Sequence, residues 1–393
     1  MPNWLLPESI ADVLPSEART IEDLRRRLLD CYQSYGYELV QPPLVEYLDA
    51  LLTGSGQDLN LKTFKLVDQL SGHTLGIRPD ITPQVARIDA HLLNRQGLSR
   101  LCYSGSVLHT LPAGLYASRE PLQIGAELYG HQGIEADLEI IELMLSSLHL
   151  AGAGKLRLDV NHSAIVPSLL KGLHSIDQED VYRLISQRDV PSLRALLAKS
   201  PDPQKSALIS IAASDADESL TNLRQYLPAS PEIASCLAQF EALQASTLWQ
   251  HLPDTSLALD LADVRGYRYH NGLVFSAFVL DSEHPRVRSQ AMGRGGRYDG
   301  AGDAFGRSRP ATGFSLELRG LAALNGAPES NLRMNAIRAP WADDQSLRQT
   351  IAKLRESGEI VVQVLPGHED EQQEFSYDRQ LLVRQGAWHI VAL

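Results

Sequence analysis

Gln123 and Glu127 stand four residues apart in Leu122-Gln-Ile-Gly-Ala-Glu-Leu-Tyr129. Leu122, Ile124, Ala126 and Leu128 alternate with Gln123, Gly125, Glu127 and Tyr129. That period of two predicts a strand with the two sets on opposite faces. The amide and the carboxylate then share a face, roughly 13 Å apart at about 3.3 Å per residue. Gly125 between them leaves room for a small polar ligand. Tyr103-Ser-Gly-Ser-Val-Leu-His109 supplies a neighbouring strand. The same pattern also suits an ordinary hairpin with one solvated face.

The elements that would hold this hairpin are legible around it. Ser16 caps a helix to about Tyr35, with Ile21, Leu24, Leu28, Cys31, Tyr32 and Tyr35 at helical spacing and Gly36 as its stop. Tyr37 to Glu46 is a strand halted by Pro42-Pro43. Thr53 to Gly56 is a loop, and Thr63 to Arg78 forms two short strands about a Ser71-Gly72 turn. Thr82 caps the next helix, with Pro83 at its first position and an end near Gly97. A helix from about Ile134 to Leu148 has an acidic first turn. From about 165 to 250 the chain is helical and broken by Pro191, Pro201, Pro203, Pro228 and Pro231, and it reads as an insertion. Strands resume at Ser256, and a small α/β unit of about 65 residues closes the chain, with a helix near Asp344–Glu356 and a strand from Glu359.

The 393 residues suffice for two or three domains. The net charge of −12 makes the chain a poor polyanion binder overall. Cys31, Cys102 and Cys236 form no CxxC pair, so neither a zinc site nor a disulfide framework is expected, and a reducing cytoplasm is the natural setting. The first residues lack a basic n-region, and no window approaches 18 apolar residues, so neither a signal peptide nor a membrane span is expected.

Four segments in order resemble the histidyl-tRNA synthetases of class II: Gly36 to Tyr47 (motif 1, the dimer-forming element), Arg78-Pro-Asp-Ile-Thr82, Leu101 to Gly130 (motif 2), and Asp263-Val-Arg-Gly-Tyr-Arg-Tyr-His270. Gly295-Gly-Arg-Tyr-Asp-Gly300 and Ala311-Thr-Gly-Phe314 also resemble that family's later core. The resemblance covers roughly residues 5 to 325 and implies an α+β fold. The expected core, 1–325, is an antiparallel sheet flanked by helices, with the helical insertion, and 326–393 form the small C-terminal domain. It also implies that Asp80, Thr82 and Gln123 hold the α-ammonium of a histidine, that Glu127 faces its imidazole, that Tyr269 and His270 fill two tyrosine positions, and that Arg265 lies near the carboxylate or phosphate. A zwitterion needs acceptors at one end and a cation at the other.

The departures bear on activity. Where synthetase motif 2 carries the arginine that grips the ATP α-phosphate, this chain has His109, and Leu111 replaces an ATP-binding glutamate. In motif 3, Gly320 stands at the arginine position, with Arg319 one residue early. Losing one such donor typically costs about 3–4 kcal/mol of transition-state stabilisation, so adenylate formation is not expected. Glu369, Asp370, Glu371 and Glu374 would repel tRNA, or simply form a solvated loop.

A synthetase-like core without ATP residues resembles the regulatory-subunit family of ATP phosphoribosyltransferase. That resemblance implies a non-catalytic chain without cofactor or metal, and no tRNA or membrane partner. It implies assembly with a short-form catalytic subunit in a hetero-octamer of four plus four, a self-dimer through motif 1, and L-histidine as feedback effector. A working histidyl-tRNA synthetase and another synthetase-like histidine-binding module are the alternatives. Residue by residue, His109 can instead be a packed histidine, Arg265 a sheet-face ion pair, and Arg294, Arg297 and Arg307 either an anion site or a solvated loop.

Overall fold

The computed structural model describes residues 4–53, 57–114, 117–173, 176–215, 218–267, 269–281, 287, 290–300, 302–325, 334–368 and 375–393. Two compact units, Met1–Gly326 and Ala327–Leu393, make up the chain. The strands of the first are β1 (Glu38–Leu39), β2 (Val45–Tyr47), β3 (Phe64–Val67), β4 (Thr74–Ile77), β5 (Ser99–Ser106), β6 (Leu122–Tyr129), β7 (Leu156–His162), β8 (Thr255–Leu259), β9 (Leu273–Val279), β10 (Gly293–Arg297) and β11 (Ala311–Glu317). Eight of them form one sheet in the order β1-β5-β6-β11-β10-β9-β7-β8. Its inner pairings are antiparallel, as expected, but β1 and β8 add a parallel strand at each edge.

One face of this sheet carries Ile124, Ala126 and Leu128 into the main core, against the helices Pro15–Ser34 and Ile134–Leu150. Ile21, Leu24, Leu28 and Tyr32 of the first helix are buried there, as their spacing predicts. Ser16 is not its cap. The helix begins at Pro15, behind Leu14, because proline preorganises the first helical position. Gly36 ends it at φ +84°.

The segment after Gly36 is two strands rather than one. β1 joins the large sheet, while β2 pairs with β4 in a separate sheet, β2-β4-β3. The proline pair sits between them, and its carbonyls accept side-chain bonds from Arg78 and Gln84 instead of ladder bonds. The Thr63–Arg78 hairpin forms as expected, with Gly72 at φ +73° in its turn. The helix Thr82–Arg87 widens into a π-turn, Ile88–Leu93, and ends at left-handed Asn94, before Gly97.

Among the described residues the insertion holds seven helices between Ile165 and His251. Its prolines start helices more than they break them. Pro191 and Pro231 lie in first turns, and Pro203 is an N-cap.

In the second unit β12 (Met334–Pro340), β13 (Val361–Val364), β14 (Phe375–Arg384) and β15 (Ala387–Ala392) form a sheet in the order β13-β12-β14-β15. The helix Gln345–Glu356 packs Leu347 and Ile351 on Ile337, Val361 and Leu381. Asp344 caps it, accepting from Ser346 N at 2.6 Å and Leu347 N at 3.1 Å. Residues Glu369 to Glu374, the acidic segment, lie outside the described residues, as do 54–56 of the Thr53–Gly56 loop.

Candidate functional site

The second face of β6 is not solvated. Glu127 is 1% exposed, and Tyr103, Tyr129 and Tyr298 are buried around it. β5 and β11 flank β6, with Leu101 and Gly313 opposite Glu127. Three hydroxyls donate to its carboxylate: Thr82 Oγ1 to Oε1 at 2.9 Å, Tyr103 OH to Oε1 at 3.2 Å, and Tyr298 OH to Oε2 at 2.5 Å. Burial without a cation pushes this carboxyl up to about 8, against the pull of those donors. At neutral pH it is therefore largely protonated, a neutral group that exchanges hydrogen bonds with hydroxyls able to donate or accept.

Two expectations change here. The Thr82 hydroxyl turns to Glu127 and Tyr103 and caps nothing. The helix starts behind Ile81 with no side-chain cap on that residue, and Asp80 takes the Thr82 N–H at 3.1 Å. The space over Gly125 is not open. A Cβ there would stand 2.6 Å from the hydroxyl oxygen of Tyr103, the residue directly opposite on β5, whose ring fills the gap.

Asp80, Thr82, Gln123 and Glu127 are brought together. Gln123 donates to Asp80 Oδ1 at 3.0 Å and accepts from Ile81 N at 3.0 Å. Acceptors for an ammonium thus stand at one end of the face and a ring-facing carboxyl at the other. Tyr269 also reaches this group. It stacks on Tyr298 with centroids 5.1 Å apart, and its buried hydroxyl has no hydrogen-bond partner among the described residues. His270 packs edge-on against Tyr269 at 5.2 Å, and its Nδ1 donates to Gly266 O at 3.2 Å. Burial lowers its pKa to about 4, so the ring is neutral.

Arg265 is not brought to this group. Its guanidinium clamps Asp263 at 2.6 and 2.7 Å, and that bond holds its charge. Arg297 and Arg307 form no anion site either. Arg297 is buried on Asp137 at 2.8 and 3.0 Å, and Arg307 donates to Asn94 and to the Arg95 carbonyl. His109 is half-buried, donates from Nε2 to Pro79 O at 2.9 Å, and is held below its ordinary pKa by desolvation. It offers a phosphate no cation. Leu111 is 74% exposed. Gly320 is buried under the side chain of Glu317, which caps the short helix Leu318–Ala322.

Tyr103 and Tyr298 as partners of Glu127 escape a reading of β6 alone. Tyr103 is found by pairing it across the hairpin with the glycine it covers. Tyr298 lies inside the quoted Gly-Gly-Arg-Tyr-Asp-Gly run, and only the β10–β11 register carries it to Glu127. An open groove of about 690 Å³ lies elsewhere, lined among others by Arg27, Asp30, Cys31, His149, His251 and Asp254. It has no buried donor network, so chemistry and volume point to different places, and the chemistry favours Glu127. Among the described residues no cluster of His, Cys, Asp or Glu has the arrangement of a metal site, and no helix is long and apolar enough to cross a membrane.

Residues 9–321 match the histidyl-tRNA synthetase family, and 334–391 match the ATP phosphoribosyltransferase subunit HisZ C-terminal domain. The chain is 53% identical over 389 residues to the ATP phosphoribosyltransferase regulatory subunit of Ralstonia pickettii, covering 98% of this chain and 97% of that one. It is 55% identical over 392 residues to that of Cupriavidus metallidurans, covering 99% and 98%. Among solved structures, an ATP phosphoribosyltransferase regulatory subunit/histidyl-tRNA synthetase from Bacillus halodurans superposes with a TM-score of 0.78 at 25% identity, over 94% of this chain and 95% of that one. The histidyl-tRNA synthetase of Nostoc shares the fold, with a TM-score of 0.74 at 19% identity, over 100% of this chain and 97% of that one.

Proposed function

The chain belongs to the family of ATP phosphoribosyltransferase regulatory subunits, and we propose that it joins the short-form catalytic subunit of that enzyme, is needed for its activity and carries feedback inhibition by L-histidine. The chain is regulatory rather than catalytic, and its place is in histidine biosynthesis. By the family pattern four such chains assemble with four catalytic chains in the cytoplasm, and each pairs with a second copy through the Gly36–Tyr47 region. Leu39, Leu44 and Tyr47, about half-exposed in that region, support the self-dimer.

One observation carries the histidine reading. The four residues that would hold a histidine, Asp80, Thr82, Gln123 and Glu127, are hydrogen-bonded into one group, while His109, Leu111 and Gly320 stand where ATP contacts would be. An amino-acid pocket is kept and the nucleotide half is given up. The deciding experiment is co-expression with the catalytic subunit, pull-down, and phosphoribosyl transfer with and without L-histidine. Asp80→Ala and Glu127→Ala are expected to leave assembly intact and weaken inhibition. Calorimetric histidine binding unchanged in both variants would end this reading.

A further inference from the structure

If the Glu127 face holds an amino acid, its carboxylate needs a cation, and those nearest in sequence to the pocket motifs are engaged. His109 is neutral on Pro79 O, and Arg265 is clamped on Asp263. Arg78 is buried on the carbonyls of Pro42 and Ser106. Arg297 lies on Asp137, and Arg309 on Asp89 at 2.9 and 3.0 Å.

Arg294 differs. It is exposed, and among the described residues no hydrogen-bond or ion-pair acceptor takes its guanidinium. It lies in the middle of the large sheet, on β10. Across that sheet Gly125 stands opposite Ser315, Ser315 opposite Arg294, Arg294 opposite Ser276, and Ser276 opposite Asp159. Residues directly opposite one another point to the same side. Arg294 therefore rises from the face that carries Gln123 and Glu127, level with the midpoint between them. One strand, β11, lies between, so two inter-strand spacings of about 4.8 Å put it roughly 10 Å from that midpoint. On β11 the small side chain of Ser315 lies between them and the Tyr103 ring covers Gly125, so an arginine side chain and a bound amino acid would meet over β11. Desolvation first, and then the nearby charge of Arg265, hold the Arg294 guanidinium below its usual pKa against the opposing pull of Asp263, so an incoming anion offsets part of that cost.

We propose that Arg294 supplies the cation for the carboxylate of the pocket's amino-acid ligand, the role that His109 and Arg265 do not fill. This rests on the histidine reading of the Glu127 face and adds a residue to it.

The test is calorimetry on the full chain with L-histidine and with histamine, which lacks the carboxylate. Wild type is expected to bind histidine roughly ten- to a hundredfold more tightly than histamine, the range for a hydrogen bond to a charged group. Arg294→Gln is expected to bind both alike, at the wild-type histamine affinity, which also shows that the variant is folded. Arg294→Lys should keep part of the preference. If Arg294→Gln keeps the full preference, or if Arg265→Gln abolishes it instead, the role assigned to Arg294 falls and the pocket stands. If wild type binds neither ligand, the pocket reading falls and takes this one with it.

Discussion

Gly313 stands directly opposite Glu127 on the neighbouring strand, and an added Cβ there would overlap Oε2 and lie 2.6 Å from Cδ of the Glu127 side chain. The carboxylate occupies space that only a glycine leaves. Gly313→Ala is expected to cost about 1–3 kcal/mol, as overpacking in a closed core does, and to weaken histidine binding. In a Glu127→Ala background the same substitution should cost less, because its main obstacle is gone. Urea unfolding of the two singles and the double measures this coupling, and strict additivity would refute it.

Stability carries the signature of the buried carboxyl. Glu127 is raised from 4.5 to about 8, so between those values the folded chain holds a proton that the unfolded chain has lost. Stability therefore falls as pH rises through that window. The full shift corresponds to up to about 5 kcal/mol. Glu127→Gln keeps the shape and removes the titration, so its stability relative to wild type should grow from pH 5 to pH 9. Parallel denaturation curves at the two pH values would show that Glu127 is not buried in this way.

Histidine affinity should pass through a maximum. A neutral imidazole pairs with the protonated carboxyl, or an imidazolium with the carboxylate, and the two complexes hold the same protons. Below about 6.5 the free ligand carries one proton too many and must release it. Above about 8 the free pocket carries one too few and must take it up. Calorimetry in buffers of different ionisation enthalpy should show proton release at pH 5.5, near zero at 7.2 and uptake at 9. Uptake at pH 5.5 would contradict the assignment.

Much of this site was legible because its signals are local. The β6 alternation put Gln123 and Glu127 on one face, and the quoted motifs selected Asp80 and Thr82. What escaped depends on register and on competition for hydrogen bonds. The ring of Tyr103 fills the gap over Gly125 because the two are cross-strand partners. Thr82 fits a helix cap, but a buried carboxyl outbids a solvated amide for its hydroxyl. Arg265 has Asp263 two residues away, so its nearest anion was always on its own loop. The splitting of residues 37–46 between two sheets depends on Arg78 and Gln84 reaching the proline carbonyls, and no pattern within the segment reports that.

Aminoacyl-adenylate chemistry should be absent. With His109 neutral, Leu111 at the surface and Gly320 packed under Glu317, no arginine stands at either family position for the ATP phosphates. Histidine-dependent ATP–pyrophosphate exchange by the purified chain is expected at background. His109→Arg alone should not restore it, since the motif 3 cation is still missing. Exchange above background in wild type would overturn the regulatory assignment.

The small sheet offers a final test, of self-association. β3 is its outer strand, and Lys65, Leu66 and Val67 are all exposed, on both faces of the strand. Val67 is 64% exposed, and Leu70, at the turn, 97%. An outer strand with unpaired backbone groups and apolar side chains invites pairing, and proteins that stay monomeric usually guard such strands with charge. Lys65 is the only charge in β3, so the strand is better suited to being covered than to facing water. Leu66→Lys with Val67→Glu is expected to shift the isolated chain from dimer toward monomer in sedimentation velocity. Histidine binding should survive, because β3 contributes nothing to the Glu127 group. A variant that sediments like wild type would leave the self-contact to the Gly36–Tyr47 region without β3, and a wild type that is monomeric at all concentrations would remove the self-dimer altogether.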